Sequence, residues 1–462
     1  MDKMRVCLLN DSFPPVIDGV ANVVMNYAKI MQKQGMADVL VGTPRYPEGY
    51  YEGYPYKVVP YHSFDTTKIV KGYRAGNPFA LAEMQEMVDF APNIIHTHCP
   101  VASSLVARGL RDRTLAPVVF TYHTKFNEDI ERAVKNEFIQ NEAIKVIVSN
   151  IEACDEVWVV SSGAGENLKS LGFEGDYTVM ENGVDFAKGR VPEEKVSEAI
   201  RGYDIPDGVP LFLFVGRIIS YKGIPIIIDA CRKLADDGQD FRLVIVGKGP
   251  DEEEMKARAR QAGLLDNPDP GHVGKCFFTG PIYDRDVLRA WNTRADLFLF
   301  PSTYDTNGIV VREAAATATA SLLVRGSCAA EGITDGRNGF LIEQNAQSMY
   351  EMLKKLCANP DCMASVGQNA MDEIYISWED SVKKAYARYE RILEFRRRGS
   401  FKVKVNPVAE FMNSVTEELS EDIRKIFDKP TMYYDTMLDN VGTFTQDVKE
   451  EFKKLWNHWK EL

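Results

Sequence analysis

Charged residues and glycine occur together directly after several apolar runs of this sequence. The segment richest in them is Pro301-Ser-Thr-Tyr-Asp-Thr-Asn-Gly-Ile-Val-Val-Arg-Glu-Ala314, in which Asp305 and Glu313 lie eight positions apart around Gly308. A helix that begins near Gly308 would direct free N–H groups at phosphate or sugar oxygens, and the two carboxylates could accept hydrogen bonds from vicinal hydroxyls. An acid that complements the helix dipole would explain Asp305, but it would not explain the whole segment.

Two cations follow another apolar run, in the segment Phe214-Val-Gly-Arg-Ile-Ile-Ser-Tyr-Lys-Gly223. Arg217 can form a two-pronged contact with a pyrophosphate, and Lys222 supplies a compact charge. Solvated surface cations are the usual interpretation of Arg and Lys, but a position at the carboxyl end of a predicted strand favours ligand binding. Together the two side chains are suited to stabilise a departing nucleoside diphosphate.

Two glycine turns each allow two interpretations. The loop from Asn10 joins a predicted strand to a helix that begins near Gly19, where backbone N–H groups can approach a phosphate. Gly247-Lys-Gly-Pro250 follows the apolar run Leu243–Val246 but lacks the last glycine of a G-x-G-x-x-G motif. Each segment is either an ordinary tight turn or part of a nucleotide site.

The elements that must position these segments are short β-branched and aromatic runs. They alternate with longer helical patterns, which is typical of βαβ units and a parallel sheet. A first series of predicted strands comprises Arg5–Asn10, Asp38–Gly42, Asn93–Thr97, Val118–Tyr122 and Glu156–Ser161. A second series comprises Leu211–Val215, Phe241–Val246, Cys276–Thr279, Asp296–Phe300, Ser321–Val324 and Gly339–Ile342. The sequence therefore predicts an α/β fold with two Rossmann-like, doubly wound domains that face each other across a ligand-binding cleft.

Length and composition favour a soluble protein of at least two domains. The chain has 462 residues, 45% of them hydrophobic, and exceeds the size at which one core usually keeps growing. A net charge of -12 argues against a general nucleic-acid-binding protein. Eight scattered cysteines without a C-x-x-C pair are typical of reduced cytosolic thiols. Because neither a secretion signal nor a spanning apolar run is visible, we expect a cytoplasmic protein, either free or peripheral on the inner face of the cell membrane.

Taken together, the segments resemble the retaining glycosyltransferases of the GT-B fold, in particular glycosyltransferase family 4 and its diacylglycerol-glucosyltransferase-like members. The resemblance covers about residues 4–395 and depends on Val215-Gly-Arg217 with Lys222-Gly223, on Asn182-Gly-Val-Asp185 and on the element that ends at Glu313. It implies transfer of a hexose from a nucleoside-diphosphate sugar, by default a UDP-hexose, to an acceptor with retention of anomeric configuration.

The resemblance also implies roles for individual residues. Arg217 and Lys222 would bind the donor diphosphate. Glu313 would bind the ribose hydroxyls, and Asp305 the donor sugar. Further donor-site positions would lie against the phosphates, the sugar or the base: Gly19, Gly247, Ile282, Asn307, Gly308 and Ile309. Neither a metal nor a cofactor would be needed, because the leaving phosphate accepts the proton of the acceptor while cations and a helix N-terminus stabilise its charge.

His123 lies just after a predicted strand, in Phe120-Thr-Tyr-His-Thr124, where the family has a histidine near the reacting sugar. A single His at a strand end is more often structural, so it is the resemblance that makes His123 a catalytic candidate. His96 and His98 beside Cys99 would also suit a metal, but no acid or His at matching spacing completes such a site.

The sequence departs from the family pattern near the sugar. The first acid is Asp305 where the family usually has Glu, and Asn307 stands where an aromatic residue is usual. After Glu313 an Ala- and Thr-rich segment replaces a common Gly-x-Pro element, and Gly326 with Ser327 are candidates to compensate. We therefore expect the sugar pocket to differ in detail from that of the family.

Other functions use a similar architecture. An NAD-dependent dehydrogenase would require a complete G-x-G-x-x-G with an acid about 20 residues later, and the sequence has none. A sugar-nucleotide epimerase would be recognised by its product in the absence of acceptor. A catalytically degenerate sugar-nucleotide-binding protein is harder to distinguish, because Asp305 is a change at the sugar contact.

We predict an acceptor-binding domain over residues 1–190 and a nucleotide-sugar-binding domain over 191–377. A helix over 378–395 would cross back to the first domain, and 396–462 would form a mainly helical extension. A basic run leads into this extension: Arg388, Arg391, Arg396, Arg397, Arg398, Lys402 and Lys404.

The acceptor prediction depends on the end of the extension. One helical face there carries Phe452, Leu455, Trp456, Trp459 and Leu462, with lysines beside it. Such a face suits an anionic membrane interface, which would favour a lipid acceptor such as diacylglycerol. It equally suits docking on the protein's own surface or on a second subunit, and the acceptor would then be a soluble sugar or small molecule.

Overall fold

A computed structural model gives the structure of the chain and describes residues 3–65, 74–77, 80–127, 130, 135–265 and 274–404. The apolar helical face predicted near the C-terminus lies outside these residues, as does most of the predicted extension.

The described part of the chain contains a parallel sheet of seven strands in the order β3-β2-β1-β6-β7-β8-β9. Its strands are β1 (Met4–Leu9), β2 (Ala37–Pro44), β3 (Lys57–Tyr61), β6 (Ile94–Thr97), β7 (Val118–Tyr122), β8 (Glu156–Val159) and β9 (Thr178–Val179). The strands β4 (Ser63–Asp65) and β5 (Arg74–Gly76) form a small antiparallel pair. Helices α1 (Gly19–Lys33), α2 (Leu81–Asp89), α3 (Ala102–Thr114), α4 (Glu137–Glu152) and α5 (Ser162–Ser170) belong to this half.

A second parallel sheet has six strands among the described residues, in the order β12-β11-β10-β13-β14-β15. They are β10 (Leu211–Val215), β11 (Arg242–Val246), β12 (Cys276–Gly280), β13 (Leu297–Phe300), β14 (Ala320–Val324) and β15 (Phe340–Ile342). The helices of this half are α6 (Glu193–Ala199), α7 (Ile224–Asp236), α8 (Glu252–Gln261), α9 (Arg285–Arg294), α10 (Ile309–Ala316), α11 (Ala346–Cys357) and α12 (Pro360–Glu373). The two doubly wound parallel sheets predicted from the sequence are therefore confirmed.

Each sheet is covered on both faces, which explains why its strands have continuous apolar sequences. In β1, Cys7 and Leu9 belong to one buried cluster, while Val6 and Leu8 belong to the cluster on the opposite face. Because successive side chains of a strand point to opposite faces, one run of apolar residues serves both cores.

The last described helix, α13 (Trp378–Arg397), packs with the first domain although it follows the second in the chain. Its buried residues Val382, Ala385 and Ile392 join the cluster that contains the inner face of α1. Tyr389 of this helix lies with its hydroxyl 2.5 Å from Nδ1 of His96, in the first sheet. The helix thus completes one layer of a core that begins some 370 residues earlier.

Four strands were not predicted from the sequence: β3, β4, β5 and β9. β4 and β5 form the short antiparallel pair, and the other two lie at the ends of the first sheet. β3 contains Pro60 and is an edge strand, where a residue without an N–H donor is tolerated. β9 is also an edge strand and has two residues, too few to form a recognisable pattern.

The predicted basic run is partly used inside the protein. Arg388 donates from Nε and Nη2 to the carboxylate of Glu156, at 2.7 and 2.9 Å. Lys404 Nζ donates to the carbonyl oxygens of Glu152 and Cys154, both at 2.8 Å. These two cations of the run therefore form contacts within the folded protein.

Candidate active site

The predicted site residues lie beyond the carboxyl ends of strands in both sheets. His123 follows β7 in the first domain. In the second domain, Arg217 follows β10, Gly247 follows β11, and the loop that contains Asp305 follows β13. Since the carboxyl ends of parallel strands share one edge of a sheet, each domain brings its candidates to one edge.

Hydrogen bonds join the two edges through the loop after β13. Thr306 Oγ1 donates to the carbonyl oxygen of His123 at 2.6 Å, and Ser161 Oγ donates to the carbonyl oxygen of Thr306 at 2.5 Å. Lys125 Nζ donates to the carbonyl oxygen of Thr303 at 3.1 Å. The first domain therefore holds a loop that carries a predicted sugar-binding acid of the second.

A carboxylate of the second domain also caps a helix of the first. Glu331 Oε1 accepts from the backbone N–H of Ser162 at 2.7 Å, and its Oε2 accepts from that of Gly163 at 3.2 Å. These N–H groups belong to the first turn of α5, where the helix dipole favours a negative charge. Glu331 is thus a second polar connection across the cleft.

Lys222 and Asp305 form an ion pair, so the structure brings together the predicted diphosphate-binding and sugar-binding residues. Ser302 Oγ donates to the other carboxylate oxygen of Asp305 at 2.6 Å. The strands that precede the two residues, β10 and β13, are neighbours in the sheet. A ligand with a phosphate next to a hydroxylated ring could contact both side chains.

Arg217 is exposed near this pair. Its Nη2 donates to the hydroxyl of Tyr221 at 3.4 Å, and the ring of Tyr221 lies 4.3 Å from that of Tyr304, centroid to centroid. Tyr304 precedes Asp305 in the loop after β13, so Arg217 lies on the same side of the second domain. Its guanidinium forms no ion pair with any residue that the structure describes.

Glu313 is buried, with 6% of its surface exposed, and its carboxylate is paired with Arg285. Burial raises the pKa of Glu313, while the positive charge and hydrogen bond of Arg285 oppose that rise. The guanidinium of Arg285 also lies over the ring of Phe186, 4.5 Å from its centroid. Glu313 is therefore not a solvated surface residue.

The loop after β13 ends at the N-terminus of α10. Gly308 is the N-cap residue, with a φ of 58°, and Ile309 is the first residue of the helix. A Cβ atom at Gly308 would lie 2.9 Å from Cβ of Ala329, so glycine is favoured here by both conformation and space. Asn307 is 9% exposed, and neither the nitrogen nor the oxygen of its buried side-chain amide has a partner among the described residues.

The other predicted donor-site positions differ in the space and the contacts around them. A Cβ atom at Gly247 would lie 1.9 Å from the carbonyl oxygen of Gly216, so the approach of two backbone segments alone requires glycine there. At Gly19, by contrast, a Cβ atom would meet nothing within 4 Å, which leaves room beside the first turn of α1. Ile282 is partly buried against the core of the second domain.

His123 is 9% exposed and lies beside a second histidine, His98. Nε2 of His123 is 3.0 Å from Nδ1 of His98, and their rings are stacked with centroids 5.2 Å apart. Burial lowers the pKa of His123 to about 4, with the charge of Asp18 opposing the shift. The pKa of His98 also lies well below its ordinary value, because of burial and the neighbouring histidines. Both rings are therefore neutral near pH 7.

The alternative of a metal site at His96, His98 and Cys99 finds no support in the contacts of these residues. His96 is bonded through Nε2 to Thr121 Oγ1 at 2.7 Å and through Nδ1 to Tyr389. No group of three potential metal ligands from His, Cys, Asp and Glu occurs in the described part of the chain.

The two halves of the sequence match two protein-family models. Residues 17–188 match the model described as Glycosyltransferase Family 4. Residues 195–373 match the model described as Glycosyl transferases group 1. The chain is a glycosyltransferase.

Curated relatives of this glycosyltransferase include two proteins named alpha-monoglucosyldiacylglycerol synthase. The protein from Streptococcus pneumoniae is 24% identical over 365 residues, which cover 78% of this chain and 79% of the relative. The protein from Acholeplasma laidlawii is 23% identical over 395 residues, which cover 83% of this chain and 95% of the relative.

Among solved structures, that of Anabaena HepE in complex with UDP is similar in fold. The TM-score is 0.66 at 16% sequence identity, and the match covers 84% of this chain and all of the HepE chain. The similarity confirms the two-domain GT-B fold predicted for this glycosyltransferase.

Three residues of the candidate site in this glycosyltransferase were not predicted from the sequence. Arg285 could have been recognised in the sequence, because a cation in the first turn of a helix is unfavourable for the helix dipole and suggests a role outside the helix. His98 was noted only as a weak metal ligand, and Glu331 carried no signal at all.

Among the helices that the structure describes, none is both long enough and apolar enough to cross a membrane.

Proposed function

We propose that this glycosyltransferase transfers a hexose from a UDP-hexose to a membrane lipid of the diacylglycerol type, with retention of anomeric configuration and without a metal ion. The observation that carries the proposal is the contact between Lys222 and Asp305 at the ends of neighbouring strands. In a sugar diphosphate, the phosphate and the vicinal hydroxyls are separated by no more than the width of one sugar ring. A single donor molecule would therefore engage both side chains.

The donor assignment extends from this pair to the surrounding residues. Arg217 and the N-terminus of α10 would stabilise the charge that grows on the leaving diphosphate, since preorganised donors act most strongly on charge that develops in the transition state. Glu313, held by Arg285, would accept hydrogen bonds from ribose hydroxyls. The open space at Gly19 would admit the diphosphate against α1.

For retention, the acceptor hydroxyl attacks the anomeric carbon from the face that the diphosphate leaves. The bond from that carbon to the phosphate oxygen breaks, and the leaving phosphate takes the proton of the hydroxyl. This route requires cations beside the phosphate rather than a carboxylate nucleophile, which fits the position of Arg217 and Lys222. It also gives the neutral ring of His123 a hydrogen-bonding role rather than that of a general acid.

The lipid acceptor is supported by the two curated relatives, which are named for the synthesis of monoglucosyldiacylglycerol and are matched over most of their lengths. An enzyme with a water-insoluble acceptor must meet it at an interface. We therefore also propose that the glycosyltransferase associates peripherally with the cytoplasmic face of an anionic membrane.

The reaction is tested with the purified full-length protein, diacylglycerol vesicles and radiolabelled UDP-, GDP- and ADP-hexoses. We expect label from a UDP-hexose in the organic extract, an α-anomeric product by NMR and unchanged turnover in EDTA. Arg217→Ala and Lys222→Ala should slow turnover, whereas Arg337→Ala, at an exposed ion pair with Glu373, should not.

Other outcomes of the same assay would contradict parts of the proposal. Label found only in a water-soluble product, with sugars or small molecules added as acceptors, would overturn the lipid assignment. Binding of donor without any turnover would indicate a degenerate binding protein. A β-anomer would exclude retention from an α-linked donor.

Membrane association is tested by sedimentation with liposomes of varied anionic content. We expect salt-sensitive binding of the intact protein that is lost when Thr443–Leu462 is deleted, while donor hydrolysis survives. Absence of co-sedimentation at low salt would contradict the proposed association.

A further inference from the structure

Two histidines meet at the edge of the first sheet that faces the second domain. His98 follows β6 and His123 follows β7, and these strands are neighbours in the sheet. Their contact joins Nδ1 of His98 to Nε2 of His123 at 3.0 Å. Nε2 of His98 is buried and has no hydrogen-bond partner among the described residues. Nδ1 of His123 forms no hydrogen bond to a described residue either, and it is the ring nitrogen left for a ligand.

Burial keeps both rings neutral, and neighbouring rings fix their planes. The ring of Tyr27 meets that of His98 edge to face with centroids 6.0 Å apart, and the ring of His96 lies 4.0 Å away. On the other side, Thr306 Oγ1 donates to the carbonyl oxygen of His123, next to Asp305 in the loop of the second domain. His123 therefore contacts His98 within the first domain and lies against the loop after β13 of the second domain.

Two arrangements of hydrogen are compatible with one bond between two neutral rings. In the first, His98 carries its hydrogen on Nδ1 and donates, and only a lone pair is left at its buried Nε2. In the second, His123 donates from Nε2, and the buried Nε2 of His98 is left with an N–H that has no acceptor. In protein interiors, N–H groups without an acceptor are rarer than acceptor atoms without a donor. This difference favours the first arrangement.

We propose that His98 is a positioning residue for sugar transfer, because its Nδ1–H donates to Nε2 of His123 and holds His123 in the Nδ1–H tautomer. His123 then offers a hydrogen-bond donor, not an acceptor, to an oxygen of the bound substrate. The inference about the tautomer depends on the contact between the two neutral rings and on the burial of Nε2 of His98. The inference about the reaction rests on the function proposed above.

The tautomer is measured directly in the nucleotide-free wild-type protein. Long-range proton–nitrogen NMR of the 15N-labelled imidazoles distinguishes the two tautomers, and the chain has only six histidines. His123→Gln identifies the signal of His123 by its loss. We expect His123 to carry its hydrogen on Nδ1, and a hydrogen on Nε2 would overturn the proposal whether or not any variant folds.

Variants at His98 test the link to the reaction. An asparagine amide N–H can replace the donor at Nδ1, so His98→Asn should keep the tautomer of His123 and most of the turnover. His98→Phe removes the donor, and we expect it to lose the tautomer preference and about tenfold in kcat, the effect of one hydrogen bond. His62→Asn, at an exposed histidine, serves as the control and should change neither measurement.

The two levels of the proposal can fail separately. If His98→Phe keeps both the tautomer and full kcat, His98 does not position His123. If the wild-type protein transfers no hexose, the proposed function fails, while the NMR measurement still decides the tautomer.

Discussion

Glu313 is a buried carboxylate whose charge is balanced by a half-exposed partner. The side chain of Arg285 is 45% exposed, whereas that of Glu313 is 8% exposed. Loss of the carboxylate would leave an arginine that water can reach, so the cost to folding should be small. Loss of the proposed contact between Glu313 and the ribose hydroxyls would instead weaken the use of the donor.

We expect Glu313→Ala to reduce kcat/KM for the donor by about 100-fold, because each hydrogen bond to a charged group contributes roughly 1.5–3 kcal/mol. Steady-state kinetics with varied donor would measure the change, and urea denaturation should show a nearly unchanged midpoint. Glu373→Ala, at an exposed pair with Arg337, is the matched control. Wild-type kinetics in Glu313→Ala would remove the ribose assignment.

His123 makes stability depend on pH. Its pKa is lowered by burial to about 4 in the folded protein, whereas an unfolded histidine titrates near 6.5. Between these values the unfolded chain binds more protons than the folded one. The free energy of unfolding therefore falls as the pH is lowered from about 6.5 to 4.

At pH 5 this single group should cost about 2 kcal/mol relative to pH 7.5. The check is urea denaturation of the wild type and of His123→Gln at both values. The glutamine variant should lose less stability on acidification, because it has no proton to take up. An equal loss in both proteins would show that His123 does not titrate as described.

Helix α13 connects the end of the described chain to the first domain. Its N-cap is Ser377, whose hydroxyl accepts from the N–H of Asp380, and its apolar face packs on the same core as α1. Tyr389 adds a polar contact within this face, to His96. The contact fixes the position of the helix along the sheet, since an apolar surface alone tolerates sliding better than a buried hydrogen bond does.

Tyr389→Phe should lower the free energy of unfolding by about 1–3 kcal/mol, because it leaves Nδ1 of His96 buried without a partner. Urea denaturation followed by circular dichroism would measure the loss. Tyr386→Phe, in the same helix but only partly buried, is the control and should change little. Equal stability of both variants would show that the hydroxyl of Tyr389 does not anchor the helix.

The arrangement of the two domains depends on polar contacts across the cleft, among them Glu331 with the first turn of α5. Cys328 lies at the same place. A Cβ atom at Gly163 would be 3.5 Å from Cβ of Cys328 and 2.6 Å from its Sγ. Disulfides have Cβ–Cβ distances of about 3.5–4.5 Å, so only the flexible thiol would have to rotate.

Gly163→Cys should therefore form a disulfide with native Cys328 under mild oxidation and link the domains. We expect loss of two free thiols by titration, and more than tenfold slower turnover if release of product requires opening, with recovery after reduction. Gly163→Cys combined with Cys328→Ser cannot form the bond and is the control. Failure to form it in the oxidised variant would contradict the described contact between the domains.

Local sequence was sufficient for the central strands and for the starts of two helices. The predicted bounds of β7 and β10 agree with the structure, because a strand buried on both faces must be apolar throughout. Helices begin at Gly19 and directly after Gly308 as predicted, since glycine and its neighbours determine the local turn. The edge predicted to bind a ligand followed from these strands without further information.

The partners of the site residues needed the tertiary structure. Arg285 and Glu313 are 28 positions apart, His98 and His123 are 25 apart, and Glu331 reaches a helix 169 positions earlier. No sequence pattern links such residues, because their contact is created by the order of strands and by the approach of two domains. Periodicity records which face of an element is buried, whereas the side chain that it meets there depends on how the elements pack.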